Sequence, residues 1–409
     1  MLQAITADQV LPGPAGHRID NGAVLIEDAT IRAVGARREI ERRAPAGTAW
    51  VEYAGATILP GLIDAHVHLA LDASENPVNA LIEADDDTVL RGMAARAAQA
   101  LHAGVTTVRD LGDRDGLIFS LRGEIEGGSR VGPRILASGP PVTVPGGHCW
   151  FFGGEVDGEE QIRARVRRNA ELGADVIKVM ASGGSITPGG AAMWEPQFTT
   201  EQLRVVVDEA ARHGLPVAAH AHGTGSIAAA VAAGANTIEH CTFFDSQREF
   251  EYEHREDLAV AMARDGIAAC VETSLHWRAA FARDADYAWR RYRRISWLDA
   301  HGVPLAVGTD SGLSGSTFDA LTLGLEVYEH IGFPRERIIE LTTANNASVL
   351  GHGDHLGRLA PGYDADILVV DGDPLASLAA LREVRAVFSR GRLNIDLSRT
   401  LRAQPSDPS

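Results

Sequence analysis

Residues 216–244, PVAAHAHGTGSIAAAVAAGANTIEHCTFF, are the stretch that decides the fold class. PVAAHAHG (216–223) and TIEHCTFF (237–244) are strand-like, and the helical segment SIAAAVAAG (226–234) between them ends on a glycine, as helices commonly do. A strand, a helix and a second strand in this order are typical of a βαβ unit in a parallel sheet. The stretch therefore predicts an α/β fold.

Outward from this unit, the same alternation runs from about Leu59 to Gly351. Stretches of helical length, such as TTEQLRVVVDEAARHG (199–214), separate eight strand candidates. Eight strand and helix pairs over roughly 290 residues predict a (β/α)8 TIM barrel, with a doubly wound sheet as the alternative. The predicted strands are ILPGLIDAHVHL (58–69), VTTVRDLG (105–112), RILASGP (134–140), DVIKVMAS (175–182), PVAAHAHG (216–223), TIEHCTFF (237–244), IAACVET (267–273) and PLAVGTDSG (304–312).

The two ends of the chain have a different character, because residues 1–57 read as short strands divided by turns. Strand-like runs return near the carboxyl terminus in ADILVVDGDP (365–374) and REVRAVFSRGR (382–392). Neither end has enough strands to close a core alone. We therefore predict that residues 1–57 and 354–409 form one composite β-sandwich domain beside a barrel of residues 58–353.

Composition limits the partners of the chain. The 409 residues include 38 Lys and Arg against 55 Asp and Glu, a net charge of −17 that disfavours nucleic acid. Three cysteines without a C-x-x-C spacing fit a reducing compartment, and no apolar run approaches the roughly 18 residues of a spanning helix. We expect a cytoplasmic homo-oligomer that acts on a small molecule and has no membrane partner.

Ionisable residues end several of the predicted strands, where a barrel of this kind places its active site. His66 and His68 close the first strand, and the two-residue period of a strand sends both imidazoles to the same side. Histidine and carboxylate are ligands that suit Zn²⁺ and related ions, although a hydrogen-bonded pair of core histidines remains an alternative for these two residues. The further candidates at strand ends are Lys178, His220, His222, His240 and Asp310.

Lys178 is the informative candidate, because an ammonium inside the apolar strand DVIKVMAS is costly unless it is paired or discharged. Addition of carbon dioxide to the neutral amine would give a carbamate, an anion whose two oxygens can bridge two metal ions. A salt-bridged structural lysine and a Schiff-base lysine are the competing interpretations.

Several motifs together resemble the amidohydrolase superfamily of metal-dependent hydrolases, and the resemblance covers nearly the whole chain. Lys178 and the Gly-Gly-His at 146–148 are similar to the subgroup of prolidase-like dipeptidases, ochratoxin-type amidases and imidazolonepropionase relatives. The motifs that carry the resemblance are LPGLIDAHVHL (59–69), GVTTVRD (104–110), IKVMASGG (177–184), AAHAHG (218–223), IEH (238–240), GTDS (308–311) and PGYDADILVVDGDP (361–374).

The resemblance implies a binuclear centre in which carboxylated Lys178 bridges the ions. It implies that His66, His68 and Asp310 bind one ion and that His220 and His240 bind the other. Strand geometry does not choose between His220 and His222, and the family pattern leaves His222 for the substrate. The implied cofactors are two divalent ions, with Zn²⁺ favoured and Mn²⁺ or others as alternatives, and the CO₂-derived carbamate on Lys178.

The same resemblance implies hydrolysis of an amide C–N bond, with an N-acyl or aryl amino acid amide or a dipeptide as the expected substrate. A metal-bridging hydroxide would attack the carbonyl, with Asp310 as general base and then general acid. His148 and His222 are the expected substrate-binding and oxyanion-stabilising residues. Arg109 either pairs with Asp110 or receives a substrate carboxylate.

Aromatic residues after the strand ends are candidates for an apolar substrate pocket: Trp150, Phe151, Phe152, Trp194, Phe243 and Phe244.

Two alternatives to the hydrolase remain. A mononuclear nucleobase deaminase would not need Lys178 and normally has a glutamate soon after the strand-five histidine, where this chain has Ala-His-Gly-Thr-Gly after His220. A non-catalytic scaffold on the same fold is the second alternative, and such a protein would have lost some of the metal-binding residues.

Overall fold

The computed structural model describes residues 2–245, 251–272 and 274–397. Strands and helices alternate through the middle of the chain, as the sequence predicts. The strands are β1 Leu2–Val10, β2 Ile19–Glu27, β3 Thr30–Ala36, β4 Ala49–Pro60, β5 Leu62–Val67, β6 Val105–Asp110, β7 Arg134–Ala137, β8 Ile177–Met180, β9 Val217–Gly223, β10 Thr237–Phe244, β11 Ala268–Glu272, β12 Leu305–Gly308, β13 Ile367–Asp371, β14 Val384–Ser389 and β15 Arg392–Asp396.

The helices cover the strands of the middle region. Among the described residues, no helix is both long enough and apolar enough to cross a bilayer. The helices are α1 Arg37–Arg43, α2 Pro77–Glu83, α3 Asp86–His102, α4 Leu117–Glu126, α5 Gly158–Glu171, α6 Thr200–Arg212, α7 Thr224–Ala233, α8 Glu256–Asp265, α9 Trp277–Arg283, α10 Ala285–Ala300, α11 Leu321–Gly324, α12 Glu326–His330, α13 Arg335–Glu340 and α14 Asn346–Val349.

Strands from both ends of the chain share one hydrogen-bonded sheet in the order β15-β14-β13-β4-β1-β2-β3. β13 joins the two ends by pairing antiparallel with β4, with Leu368 opposite Leu59. Alternate residues of these strands bury a common apolar core that includes Ile5, Val369 and Phe388. Strands from the two ends of the chain thus pack into one sheet with a shared core.

The parallel strands form one sheet of β5, β6 and β7 and another of β8 to β12. Backbone hydrogen bonds cross both junctions between them. The amide of Asp175, just before β8, donates to the carbonyl of Ala137 in β7 at 2.8 Å, and the amide of Asp310, just after β12, donates to the carbonyl of His66 at 2.9 Å. The two parallel sheets are thus connected by backbone hydrogen bonds at both of their edges.

Burial of the parallel strands explains their apolar composition, because every residue of β5, β6, β8 and β12 is buried. Helix α6 shows how the outer layer is specified. Thr199 caps it by accepting a hydrogen bond from the amide of Gln202, and the Gln202 side chain bonds back to Thr199. Its inward face buries Leu203 and Val206.

The predicted strand 58–69 is two strands in the structure, which corrects the sequence interpretation. β4 ends at Pro60 and belongs to the terminal sheet, whereas β5 starts at Leu62. Gly61 lies between them, and a Cβ atom at this position would collide with the side chain of Thr106. The chain thus passes from one sheet to the other through a close backbone approach that requires glycine.

Candidate active site

His66, His68 and Asp310 lie together at the carboxyl ends of β5 and β12. Asp310 Oδ1 is 3.6 Å from His66 Nε2 and 3.4 Å from His68 Nε2. His68 Nδ1 is 3.1 Å from the carbonyl oxygen of Gly112, to which it donates, so its Nε2 atom is the one that faces Asp310. Burial raises the pKa of Asp310 to about 6. The structure brings this predicted group of ligands together.

His220, His222 and His240 form a second group on β9 and β10. The ring centroid of His240 is 4.6 Å from that of His220 and 4.4 Å from that of His222, and one ligand atom from each residue lies within 4.8 Å of the others. His220 Nε2 is 3.0 Å from the carbonyl oxygen of Gly183, and His222 Nδ1 is 2.8 Å from Thr242 Oγ1. The geometry groups all three and does not single out His220.

Lys178 is fully buried in β8, with its Nζ atom 3.5 Å from His66 Nε2. Burial lowers its pKa. Within the described part of the chain, no carboxylate oxygen lies within 4.0 Å of Nζ, so the salt-bridged alternative finds no support. Lys178 is also the only lysine in the sequence, a signal that composition alone could have provided. The amine faces His66 and no described carboxylate, so its surroundings are compatible with the predicted carbamate.

Two carboxylates that the sequence interpretation missed lie behind these histidines, one fully buried (Glu239) and one partly buried (Glu272). Glu239 Oε2 and Glu272 Oε1 are each 3.0 Å from His66 Nδ1, and Glu272 Oε2 is 2.7 Å from His240 Nδ1. Each Nδ1 atom thus lies within ion-pair distance of a carboxylate, which leaves Nε2 as the ring atom free to serve as a ligand. The missed signal was their position at strand ends, with Glu239 directly before His240 and Glu272 at the end of β11.

Arg109 does not take either of its predicted roles. Its Nη2 atom is 2.9 Å from Glu239 Oε1, and its Nε atom donates to the carbonyl of Ala65. Asp110 instead accepts a hydrogen bond from the amide of Leu69 at 2.7 Å. The predicted Arg109–Asp110 ion pair is wrong because successive residues of a strand point to opposite faces. Burial alone would raise the pKa of Glu239, but Arg109 and His66 hold it well below its usual range.

His148 lies beside the second group of histidines, with its ring centroid 4.5 Å from that of His220. Its Nδ1 atom is 3.0 Å from Thr187 Oγ1. Burial, assisted by the nearby Lys178, lowers the pKa of His148 to about 3. A neutral imidazole at this position can donate one hydrogen bond while it accepts another.

A cavity of about 420 Å³ opens onto both groups of histidines. Of the aromatic residues predicted to line it, Phe244 does so, whereas the Phe152 ring stacks on His68 with 5.7 Å between centroids. Trp150, Phe151, Trp194 and Phe243 are absent from the described wall. Helix α10 contributes three residues that the sequence interpretation missed: Tyr287, Arg291 and Arg294.

Comparison with known proteins places the chain among hydrolases. Residues 57–393 match the model of the amidohydrolase family. Ochratoxinase of Aspergillus niger is 29% identical over 412 aligned residues, which cover 94% of this chain and 84% of the relative. Imidazolonepropionase of Cupriavidus taiwanensis is 26% identical over an alignment that covers 96% of this chain and 97% of the relative. A crystal structure of a Xaa-Pro dipeptidase with bound methionine superimposes with a TM-score of 0.82 at 25% identity, covering 96% of this chain and 99% of that one.

Proposed function

We propose a substrate and a metal centre for this chain from the premise that it belongs to the amidohydrolase family and acts on carbon–nitrogen bonds. Its relatives lie in the prolidase and imidazolonepropionase-related part of the superfamily. The proposed reaction is hydrolysis of an amide bond in an N-acyl or aryl amino acid amide or a dipeptide. One observation carries the proposal: Lys178 and the two groups of histidines converge on a single cavity.

The metal centre that we propose holds two divalent ions, with Zn²⁺ as the favoured metal. His66, His68 and Asp310 would hold one ion, His220 and His240 the other, and a carbamate on Lys178 would bridge them. The buried imidazole nitrogens and the carboxylate fit the ligand preferences of Zn²⁺. When bound, such ions lower the pKa of water and polarise the scissile carbonyl.

The side chains around the cavity would perform the proton transfers. Asp310 would accept the proton of the attacking water and then pass it to the leaving nitrogen, a role that a carboxylate beside the scissile bond can fill. His148 and His222, which both line the cavity, would donate hydrogen bonds to the carbonyl oxygen as it gains negative charge.

The arrangement of the whole chain follows the same proposal. We infer that the eight parallel strands form a closed (β/α)8 barrel of residues 58–353. We also infer that residues 1–57 and 354–409 form a β-sandwich domain beside it. The hydrogen bonds at both sheet junctions support the closure. A cytoplasmic location and a homo-oligomeric state remain predictions from the sequence.

Metal analysis and a substrate panel test the proposal. Protein purified without chelator should contain about two divalent ions per chain and should hydrolyse members of a panel of N-acyl amino acids, Xaa-Pro dipeptides, cyclic imides and nucleobases. One tightly bound ion together with nucleobase deamination would favour the deaminase instead. Protein that binds no metal and turns over no member of the panel would favour the scaffold.

A further inference from the structure

Helix α10 contributes one tyrosine and two arginines to the cavity wall. Tyr287, Arg291 and Arg294 are spaced four and three residues apart, so they lie on one side of the helix, and all three line the cavity. Arg290 and Arg293 on the same helix are exposed. Two of the four arginines in the segment RRYRR are thus directed at the cavity that also contains the histidines.

Arg294 is a buried cation without a partner anion in the described part of the chain. Its side chain is 4% exposed, its Nη2 atom donates to the carbonyl oxygen of His240 at 3.2 Å, and its Nη1 atom donates to the carbonyl oxygen of Arg291. The Nε atom has no hydrogen-bond partner, and no described carboxylate oxygen lies within 4.0 Å of the guanidinium. Burial of an unpaired guanidinium is unfavourable unless a ligand supplies the missing anion.

The rest of the wall indicates what kind of anion fits. Ile186, Met193, Leu275 and Leu313 supply apolar surface to the same cavity wall. The carboxylates in the wall, Glu272 and Asp310, already contact the histidines. The cavity therefore offers two cations whose charge is not balanced by described acidic residues of the wall, next to apolar surface.

We propose that Arg291 and Arg294 form the subsite for the α-carboxylate of the amino acid that leaves when the amide bond is cleaved. The substrate is then an amide whose nitrogen belongs to an amino acid with a free carboxylate, as in an N-acyl amino acid or a dipeptide. A guanidinium matches a carboxylate through two parallel hydrogen bonds, which gives orientation as well as affinity. This inference rests on the proposed amide hydrolysis.

The position of Arg294 places the proposed carboxylate subsite close to the histidines of the site. Arg294 contacts the backbone of His240, whose ring belongs to the second group of histidines. A carboxylate held by Arg294 is therefore near the atoms that react, as the α-carboxylate of the leaving amino acid must be. Arg109, which the sequence analysis considered as a carboxylate-binding residue, forms an ion pair with Glu239 instead.

A pair of substrates that differ only in the carboxylate tests the subsite. N-acetyl-L-phenylalanine and N-(2-phenylethyl)acetamide both release acetate, and the second compound lacks the carboxylate. For Arg291→Gln, kcat/KM should fall roughly 30-fold or more on the acid and change little on the neutral amide. The same pair of compounds is titrated against metal-depleted protein by calorimetry, where only the acid should bind to the wild type.

Two further variants separate a binding role from a structural one. Arg290→Gln removes an exposed charge from the same helix and should leave both substrates unaffected. Arg294→Lys keeps the charge but not the paired hydrogen bonds, so it should lower kcat/KM on the acid more than on the neutral amide. If Arg294 only supports the backbone of His240, Arg294→Lys will lower the rates on both compounds equally.

The outcomes distinguish this inference from the proposed function. Equal hydrolysis of acid and neutral amide, with no selective loss in Arg291→Gln, overturns the subsite and leaves amide hydrolysis intact. Binding of the acid that depends on Arg291, without hydrolysis of any amide, supports an anion subsite and overturns the proposed reaction. Neither binding nor hydrolysis of the acid, when the panel contains other substrates, rejects the carboxylate subsite.

Discussion

His66 shows how individual residues in the cavity depend on partners behind them. One ring nitrogen faces Glu239 and Glu272 at 3.0 Å, and the other faces Lys178 at 3.5 Å. Arg109 in turn balances the charge of Glu239. Both carboxylates lie against one ring nitrogen, so the nitrogen toward Lys178 is the one left available to a metal.

Lys178→Ala should lose metal and activity, because the proposed bridge between the ions disappears. We expect metal content to fall from about two ions per chain to less than one, with hydrolysis lowered by roughly 1000-fold or more. Elemental analysis and the substrate panel measure both effects. Added propionate should partly restore the Lys178→Ala protein, and Lys178→Glu should retain more metal than Lys178→Ala.

The carbamate itself can be observed directly, since the chain has no other lysine. Protein equilibrated with ¹³C-bicarbonate should show one side-chain carbamate resonance in its ¹³C NMR spectrum, and Lys178→Ala should lack it. Active, metal-loaded protein without this resonance would rule out the bridging role and leave a mononuclear centre as the better explanation.

Arg109→Met should destabilise the fold by about 3–5 kcal/mol, because Glu239 would keep its charge in a buried site without its cation. Urea denaturation measures the change. Arg130→Met is the matched control, since Arg130 pairs with Glu124 at the surface and its loss should cost less than about 1 kcal/mol. Equal effects of the two variants would show that Glu239 does not need Arg109.

The pairing of β8 with β9 places two of the site residues on one face of the sheet. Helix α6 connects β8, which carries Lys178, to β9, which carries His220. In the parallel pairing of these strands Lys178 is opposite Ala218 and Met180 is opposite His220. Lys178 and His220 are thus two register positions apart and share one face of the sheet.

Glu209 connects α6 to α5 through ion pairs, and the pH dependence of these ion pairs can be tested. Its carboxylate contacts Arg163 and Arg167 of α5 at 3.2 Å and Arg212 of α6 at 2.8 Å. Burial opposes ionisation, but the three arginines lower the pKa of Glu209 below its ordinary value of 4.5. Glu209→Gln should therefore lower the free energy of unfolding by about 1 kcal/mol at pH 7.

The sign of the pH dependence follows from the lowered pKa. Stabilisation by a carboxylate of this kind is complete above the pKa of the unfolded state and is lost as the pH falls through the folded-state pKa. The difference between wild type and Glu209→Gln, measured by urea denaturation, should be constant from pH 6 to 8 and should shrink below pH 4.5. A difference that grows on acidification would contradict the arginine contacts.

The molecule as a whole depends on the sheet that joins its two ends. β1 lies between β4 and β2 in this sheet, and its Ile5 is completely buried against residues from both ends of the chain. Removal of residues 1–55 deletes β1 to β3 and most of β4, which would expose the apolar faces of β13 and β14.

Deletion of residues 1–55 should leave insoluble protein, as judged by the soluble fraction after expression. Ile5→Ala is a milder test and should cost about 2–5 kcal/mol in unfolding free energy, because it opens a cavity in the shared core. Asp8→Ala on the exposed side of β1 is the control and should be nearly neutral. A soluble, active truncation would show that the region of parallel strands does not need the terminal sheet.

Strand and helix periodicity was sufficient to predict the α/β class, the eight parallel strands and the convergence of His66, His68, Lys178 and Asp310. Local pattern carries this information because the two-residue period of a strand depends on the sequence of each element alone. The expectation that strand ends carry the site then follows from the predicted fold class. The segment 58–69 was wrongly predicted as one undivided strand, since the need for glycine at Gly61 comes from Thr106, which is distant in sequence.

Pairings between distant elements could not be read from local pattern. Arg109 pairs with Glu239, 130 residues away, and not with its neighbour Asp110. The cavity is lined by Arg291 and Arg294 of α10, although helical spacing by itself does not say which face of a helix meets a cavity. The physical reason is that burial and charge compensation are properties of the packed molecule, so the partner of a buried charge is decided only when the elements are brought together.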